Sequence, residues 1–421
     1  MKIIAAVATT MVLAAVLAAQ SPPASNTCLD CHSLLEGELQ QPAQLFENDI
    51  HAQSGFSCVD CHGGDEASED PEVSMSAARG FRGRIERTAI PGLCGGCHSD
   101  ANLMHRFKPQ QRIDQLAQYR TSIHGQLLAR GDVQVAACTD CHSVHDIREV
   151  RHALSPVHPL RLPETCAACH ADSEHMAGYD IPSSQFEQYR RSVHWEAVAQ
   201  RGDLSAPTCA TCHGNHGATP PGMDSVANVC GSCHVVFQNL FDDSPHGEAF
   251  AAMGLAACVQ CHGNHEVTSP SPEILGVAEG AVCTGCHVEG EAAYTVAATM
   301  KQRLDELHAA LEDSEEILDR AEQSGMEVSE GQLQLASAHE QWIKAKVQVH
   351  AFALDPVEEA VTEGLSLVRE SHESGERALE ERDFRRVGLG MSLLTIVVVI
   401  LGLWLAVRMI ESKQANTRTG D

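Results

Sequence analysis

Two cysteines and a histidine recur along the chain in the fixed spacing C-x-x-C-H. The sequence contains nine such units, which use all 18 cysteines and nine of the 24 histidines. The cysteines are Cys28, Cys31, Cys58, Cys61, Cys94, Cys97, Cys138, Cys141, Cys166, Cys169, Cys209, Cys212, Cys230, Cys233, Cys258, Cys261, Cys283 and Cys286. The histidines are His32, His62, His98, His142, His170, His213, His234, His262 and His287. With no cysteine left over, one kind of chemistry must account for all of them.

This spacing matches the chemistry of covalent haem attachment. Two thiols three positions apart form thioethers with one porphyrin, and the adjacent histidine becomes a proximal axial ligand of its iron. Zinc is one alternative, since a C-x-x-C pair often supplies two of four tetrahedral ligands, but zinc requires no histidine after every second cysteine. Disulfides are the ordinary use of cysteine in an exported chain, but they do not require this fixed spacing. The sequence therefore predicts nine covalently attached haem c groups.

The haem motifs leave little polypeptide for a conventional core. They occupy 262 residues, from Cys28 to residue 289, which is about 29 residues for each of nine motifs. Only 4% of all residues are aromatic. The predicted interior of this region is therefore made of porphyrins packed close to one another.

A second set of histidines recurs in register with the motifs. Four segments with an aromatic residue five positions before a histidine each precede a motif, and three motifs continue into a further histidine as CHSVH or CHGNH. Internal repeats of this kind indicate a repeated structural unit, here one leading motif followed by four pairs. The candidate distal ligands at these repeated positions are His51, His124, His194, His246, His145, His216 and His265, and His105 and His158 complete a set of nine.

These motifs resemble the low-potential multihaem cytochrome c family, with doubled C-x-x-C-H units and histidines in S-x-H-G contexts over residues 26–290. The resemblance implies low-spin haems with two histidine ligands, low potentials, little regular secondary structure and a role in anaerobic or versatile respiratory chains. The chain departs from the pattern at Asp65, where other repeats place the extra histidine. The motifs at Cys230 and Cys283 have no nearby following histidine.

The predicted fold is a multihaem cytochrome c domain over residues 25–290, mostly irregular with short α-helices around a haem core. Residues 291–386 are rich in Ala, Glu and Leu, and breaks at Ser324-Gly325 and Asp355-Pro356 predict an all-α three-helix bundle. An oligomeric coiled coil is the alternative. Ser329 with Gln332 predicts a capping box. The bundle histidines His308, His339, His350 and His372 are expected at the surface or in packing, although one could reach a haem of the last pair.

Both ends of the chain carry apolar segments. Residues 1–24 have the pattern of a signal peptide, with Lys2 before a short apolar run. Residues 387–408 begin with 21 uncharged residues, enough for a transmembrane helix. The predicted topology is a single-pass protein of the cell inner membrane, with a periplasmic haem domain and a cytoplasmic tail over residues 409–421.

The net charge of the chain and its predicted haem groups limit the classes of function to consider. A formal net charge of −28 argues against nucleic acid as a partner, because phosphate binding needs a basic face. The leading hypothesis is an electron carrier without a catalytic residue, between a quinol-oxidising membrane subunit and periplasmic or extracellular cytochromes and acceptors. The alternative is a multihaem oxidoreductase acting on a small nitrogen or sulfur compound such as nitrite, hydroxylamine or tetrathionate. A haem scaffold that polymerises into wires is a third hypothesis.

Overall fold

The computed structural model describes residues 26–220 and 225–418, and the regular structure in these ranges is helical. The predicted signal peptide lies outside the described residues. The chain divides into two compact units. The first comprises the described residues up to Val229 together with Gly263–Ser269, and the second comprises Cys230–His262 and the described residues from Pro270 onward. The predicted domain boundaries near residues 290 and 386 lie inside the second unit and stay predictions.

The first unit is built from short helices joined by turns. Its α-helices are Thr27–Ser33, Gln41–Phe46, Ile50–Gln53, Cys58–His62, Pro71–Ser74, Ile90–His98, Ala101–Phe107, Gln115–Thr121, Ile123–Ala129, Cys138–His142, Leu162–His170, Ser173–Met176, Gln185–Tyr189, Val193–Trp195 and Cys209–His213. Single turns of 3₁₀ or π-helix occupy Gly37–Leu39, Ala77–Arg79, Arg87–Ala89 and Glu196–Gln200, and a 3₁₀ segment, Val226–Ser232, spans the division between the units.

Apolar side chains form very little of the first unit's interior. Its largest buried cluster contains Leu128, Val135 and Ala137. Six of the 24 buried hydrophobic residues described belong to this unit, against 18 in the second unit. A chain of this length normally needs a much larger apolar core to offset its conformational entropy. The short helices around a small apolar interior confirm the predicted fold class for this region.

The second unit combines three short α-helices with three long ones. The short helices are Val235–Asp242, Pro245–Met253 and Val259–His262, with 3₁₀ turns at Pro272–Ile274, Val282–Gly285 and Val349–Ala351. The long helices are Ala292–Gln323, Ser329–Gln348 and Leu354–Arg418. We call these the first, second and third long helix. They pack on one another as the predicted three-helix bundle.

The bundle has a conventional apolar core. Leu307, Leu311, Leu318, Val357 and Val361 are at most 1% exposed. They recur at helical spacing, which places them on one face of the first and of the third long helix. The core also holds a polar pair that is fully satisfied, because Ser314 donates to Ser371 at 2.9 Å and Ser371 donates to the Gly331 carbonyl at 2.8 Å.

Two details of the bundle differ from the sequence prediction. The second long helix begins without the expected capping box, since Gln332 bonds Glu322 of the preceding helix while Glu327 accepts from the Ser329 backbone. The third long helix is continuous for 65 residues, so the bundle helix and the apolar segment are one element. No proline follows Pro356, and nothing in the intervening sequence ends the helix.

Replacing Leu307 by alanine is expected to lower the free energy of unfolding of the bundle by about 2–5 kcal/mol. The side chain is 0% exposed, and its loss leaves a cavity between packed helices. Leu333 on the second long helix is 69% exposed and serves as the matched control, with an expected change within about 0.5 kcal/mol. Denaturant unfolding followed by helical circular dichroism measures both variants, and equal effects would contradict the assigned core.

Candidate haem-binding sites

The C-x-x-C-H motifs lie on short helical turns, which places both thiols on one side with the histidine beside them. Three motifs are helices in themselves: Cys58–His62, Cys138–His142 and Cys209–His213. Asp60 and Asp140, between the two cysteines, each accept a backbone N–H at 2.7 Å from the residue before the first cysteine. This carboxylate therefore fixes the start of the helix that carries the thiols.

The motifs at Cys94 and Cys166 each end a longer helix. In Ile90–His98 and Leu162–His170 a proline lies in the first turn and the motif histidine is the last helical residue. Proline is pre-organised for the first turn because its ring fixes φ near the helical value and the N–H that it lacks would have no intrahelical partner there. The histidine is thus fixed at a helix end, where its ring can project away from the backbone.

Seven motif histidines face a second imidazole at nearly constant distance. The ring centres are 5.9–6.1 Å apart in the pairs His98–His51, His62–His145, His170–His124, His142–His216, His213–His265, His287–His246 and His262–His350. The distance is nearly constant although the angle between the two ring planes ranges from 7° to 85°.

This distance is the one that two imidazoles adopt on opposite sides of a single metal ion. A metal–imidazole nitrogen bond is about 2.0–2.1 Å, so two such rings have their centres about 6 Å apart. The planes are nearly parallel in four pairs, from 7° to 21°, and nearly perpendicular in His51–His98 and His246–His287, at 83° and 85°. The residues present therefore fit an iron porphyrin held between two imidazoles and tied to two thiols.

Two family models match parts of the chain that together carry six of the nine motifs. The model described as cytochrome c3 matches residues 50–171, which hold four motifs, and the doubled CXXCH motif matches residues 245–292, which hold two. The chain is a multihaem c-type cytochrome. Its cysteines attach haem c covalently. No solved structure matches the chain.

The motifs of this cytochrome follow one another in space in the first unit. Cysteine side chains of different motifs lie side by side in Cys94–Cys138 and in Cys166–Cys209. Cys58 is likewise a neighbour of Cys28. Cys61 lies near Cys97, and Cys141 lies near Cys169. Each of the first five motifs thus neighbours the next one in the sequence.

The same order holds in the second unit. The side chains of Cys230 and Cys258 are direct neighbours. Cys261 likewise lies near Cys283 and Cys286. In the first unit, contacts between first cysteines, as in Cys94–Cys138, alternate with contacts between second cysteines, as in Cys141–Cys169.

A buried polar residue positions each histidine that precedes a motif. Asp49, Ser122, Ser192 and Ser244 are 2–7% exposed, and each caps the short helix that carries His51, His124, His194 or His246. The three serines also donate to a carbonyl three residues earlier at 2.6–2.7 Å. The repeated histidines are thus held in the first turn of a capped helix, and their common position in the sequence repeat corresponds to a common local structure.

Asp49 makes the most extensive of these contacts. Its carboxylate accepts from the His51 ring Nδ1 at 2.9 Å, from the His51 backbone at 2.8 Å and from the Ile147 backbone at 2.8 Å. Burial by itself raises the pKa of Asp49, but these hydrogen bonds outweigh burial and the pKa is lowered. The carboxylate is therefore ionised at neutral pH, and its bond to Nδ1 leaves His51 Nε2 as the ring nitrogen able to ligate a metal.

The pairing between repeats follows a rule that the sequence did not reveal. Each histidine after a motif faces the motif histidine two motifs earlier, as in His145 with His62, and His265 with His213. Each histidine before a motif, where its pair is described above, faces the motif histidine of the next motif but one, as in His51 with His98. Interleaving of this kind depends on contacts between repeats, which motif spacing does not encode.

Two of the nine distal candidates lie apart from the motif imidazoles. His105 is exposed near the end of its helix, and His158 is buried, with its Nδ1 accepting the Leu160 N–H at 3.3 Å. A ligand role for either stays a prediction. Within the described residues no imidazole faces His32, whose Nδ1 instead donates to the Leu39 carbonyl at 2.8 Å.

Proposed function

We propose that the cytochrome carries electrons along nine covalently attached haems, between a quinol-oxidising membrane partner and periplasmic or extracellular acceptors. Haem c, when bound, supplies reversible one-electron chemistry at its iron. The polypeptide holds the thiol pairs in sequence order and places imidazoles across from the motif histidines. The observation that carries the proposal is this unbroken succession of neighbouring motifs within each unit.

The apolar helix near the C-terminus supports the proposed membrane location. Every large apolar side chain from Val387 to Val407 is at least half exposed, and this helix is long and apolar enough to cross a membrane. An exposed apolar surface of this extent calls for a lipid environment. We propose that it anchors the protein in the inner membrane, with the haem-bearing units in the periplasm.

Electron paramagnetic resonance of the oxidised full-length protein tests the ligand arrangement behind this function. Relative orientation of the two imidazole planes sets the splitting of the iron d orbitals, so parallel and perpendicular pairs give different low-spin signals. We expect rhombic signals from the four nearly parallel pairs and large-g signals from the two nearly perpendicular ones. A spectrum dominated by high-spin haem would contradict the proposed conduit.

Electron transport itself is tested in membrane vesicles that contain the cytochrome. A reduced quinol analogue should reduce its haems when the native membrane is present, and an added soluble oxidant should reoxidise them. Vesicles from cells that lack the cytochrome control for other haem proteins. Haems that respond to neither reagent would contradict the proposal.

One observation favours a second candidate function, a multihaem oxidoreductase with its reactive site at the first motif. His32 is the motif histidine that no described imidazole faces, so an iron there keeps a position for a small molecule. Nitrite or hydroxylamine should then perturb the spectrum of about one haem, and replacing Cys28 and Cys31 by alanine should abolish the change. An unaltered spectrum at saturating ligand would remove this candidate.

Replacing Asp49 by asparagine is expected to raise the midpoint potential of one haem by about 60 mV. Asparagine keeps an oxygen to cap the helix but removes the charge that makes His51 a stronger ligand for oxidised iron. A tenfold change in relative affinity for two oxidation states corresponds to about 60 mV for one electron. Asp70→Asn is the matched control, because Asp70 also caps a short helix but its described side-chain bond is to the Glu72 N–H and not to a histidine. Potentiometric titration of this variant should show no shift in midpoint potential. Equal titrations for both variants would contradict the role of Asp49.

A further inference from the structure

The link between the second and third long helices carries a histidine into the motif region of the second unit. The helix Ser329–Gln348 is followed by a 3₁₀ turn, Val349–Ala351, and then by Phe352 in a left-handed conformation at φ 49°. A non-glycine residue with positive φ is uncommon, and it marks a turn that its surroundings hold in place. His350 lies in the middle of this turn.

His350 faces the motif histidine His262 with the geometry of the other imidazole pairs. Their ring centres are 6.1 Å apart and their planes are 17° from parallel. The pairs His142–His216 and His213–His265 have 6.0 Å and 7°, and 5.9 Å and 13°, respectively. The His350–His262 pair therefore has the same ring distance and nearly parallel planes as the pairs formed by histidines that follow a motif.

Neighbouring side chains fix the orientation of the His350 ring. Its Nδ1 donates to the Val347 carbonyl at 3.1 Å, which leaves Nε2 as the nitrogen able to ligate a metal. Phe237 packs edge-on against the ring at 4.8 Å. Phe352 packs against His246 at 3.9 Å, so the same turn also contacts the last imidazole pair.

The repeat explains why the bundle would supply this ligand. His62, His142 and His213 each face a histidine that follows the motif two places later. His262 belongs to the eighth of nine motifs, so a tenth motif would be needed to supply its partner in the same way. The chain has no tenth motif, and the described residue that faces His262 is His350.

We infer that His350, from the helical bundle, is the distal ligand of the haem iron attached through Cys258 and Cys261. This inference rests on the proposed binding of haem between paired imidazoles and adds a ligand from outside the haem-motif region. It makes docking of the bundle turn a condition for completing that haem site.

The other bundle histidines for which contacts are described have a different environment. His308 stacks on Trp342 at 4.9 Å, and His372 lies 3.8 Å from Glu376. His372 is on the third long helix and pairs with a carboxylate on its own surface. It therefore provides the matched control for removal of a bundle imidazole.

The test replaces His350 by alanine in the full-length protein and compares it with His372→Ala. Visible and electron paramagnetic resonance spectra should show high-spin haem increased by one equivalent over the parent in H350A, with one additional carbon monoxide site. Free imidazole should restore the low-spin spectrum, which a merely structural loss would not allow. H372A should match the parent.

The outcomes separate this inference from the function on which it rests. An H350A protein with a full haem complement and the parent spectrum would overturn the assignment of His350 and leave the electron-transfer proposal standing. A parent protein without covalently bound haem would overturn both. If H350A is poorly folded, His350→Met keeps an iron ligand and should raise the potential of one haem, and an unchanged set of potentials overturns the assignment.

Discussion

Replacing Cys138 and Cys141 by alanine is expected to give a protein with one haem fewer and a first unit that no longer unfolds cooperatively. This motif lies in the middle of the succession, beside Cys94 on one side and Cys169 on the other. Its loss removes a porphyrin from a unit whose largest apolar cluster has three buried residues. Each of those side chains contributes about 1.5–3 kcal/mol or less, so they cannot replace the lost burial.

A folded domain is typically more stable than its unfolded chain by about 5–15 kcal/mol. We expect loss of the buried porphyrin surface to remove a large part of this stability. Electron transfer between the two ends of the unit should also fall steeply, since the gap lies in the centre. Haem content by mass and thermal unfolding followed by the haem absorption measure the first two effects.

The first motif provides the control. Replacing Cys28 and Cys31 also removes one haem, but at the end of the succession, where only the motif at Cys58 is a described neighbour. This variant should keep a cooperative transition. Equal destabilisation by the two double replacements, or little by either, would contradict porphyrin as the interior of the unit.

Ending the chain before Val387 is expected to move nearly all of the protein from the membrane fraction to the soluble fraction, with its haems retained. The buried core of the bundle extends to Ala378, whereas the apolar side chains from Val387 to Val407 are exposed. Their transfer out of lipid is strongly unfavourable, at about 25 cal/mol for each Å² exposed to water. Removing them should therefore abolish anchoring without opening the bundle.

A shorter deletion separates the helix from the tail. Removing residues 409–421 alone leaves the apolar helix intact and should leave the protein in the membrane. Fractionation followed by a carbonate wash and haem staining measures both proteins. A chain truncated before Val387 that stays in the washed membrane would show that another part of the protein anchors it.

Local sequence predicted the features that depend on neighbouring residues. The spacing of thiols and imidazole within one helical turn identified haem c attachment, and the family matches confirm this chemistry. Apolar periodicity identified the bundle core, where Leu307 and Leu311 are buried. The recurrence of His51 and His124 marked histidines that the structure holds on capped helices.

The remaining features depend on contacts that are distant in sequence. His142 and His216 are 74 residues apart, and His262 and His350 are 88 apart. No local spacing fixes such pairs, because they arise from packing between repeats. His105 and His158 were added to complete a set of nine ligands and do not stand at a repeated position. Neither faces a motif imidazole in the described structure. The one available signal for His350 was the absence of a histidine following the last motif pair.

Intact-mass measurement of the mature full-length protein is the most direct test of the central claim, that porphyrins held by thiol pairs form the interior of the haem-motif region. The mass should exceed that of the processed polypeptide by nine haem groups, one for each C-x-x-C-H unit. A mass equal to the polypeptide alone, or to the polypeptide with bound zinc, would contradict the claim.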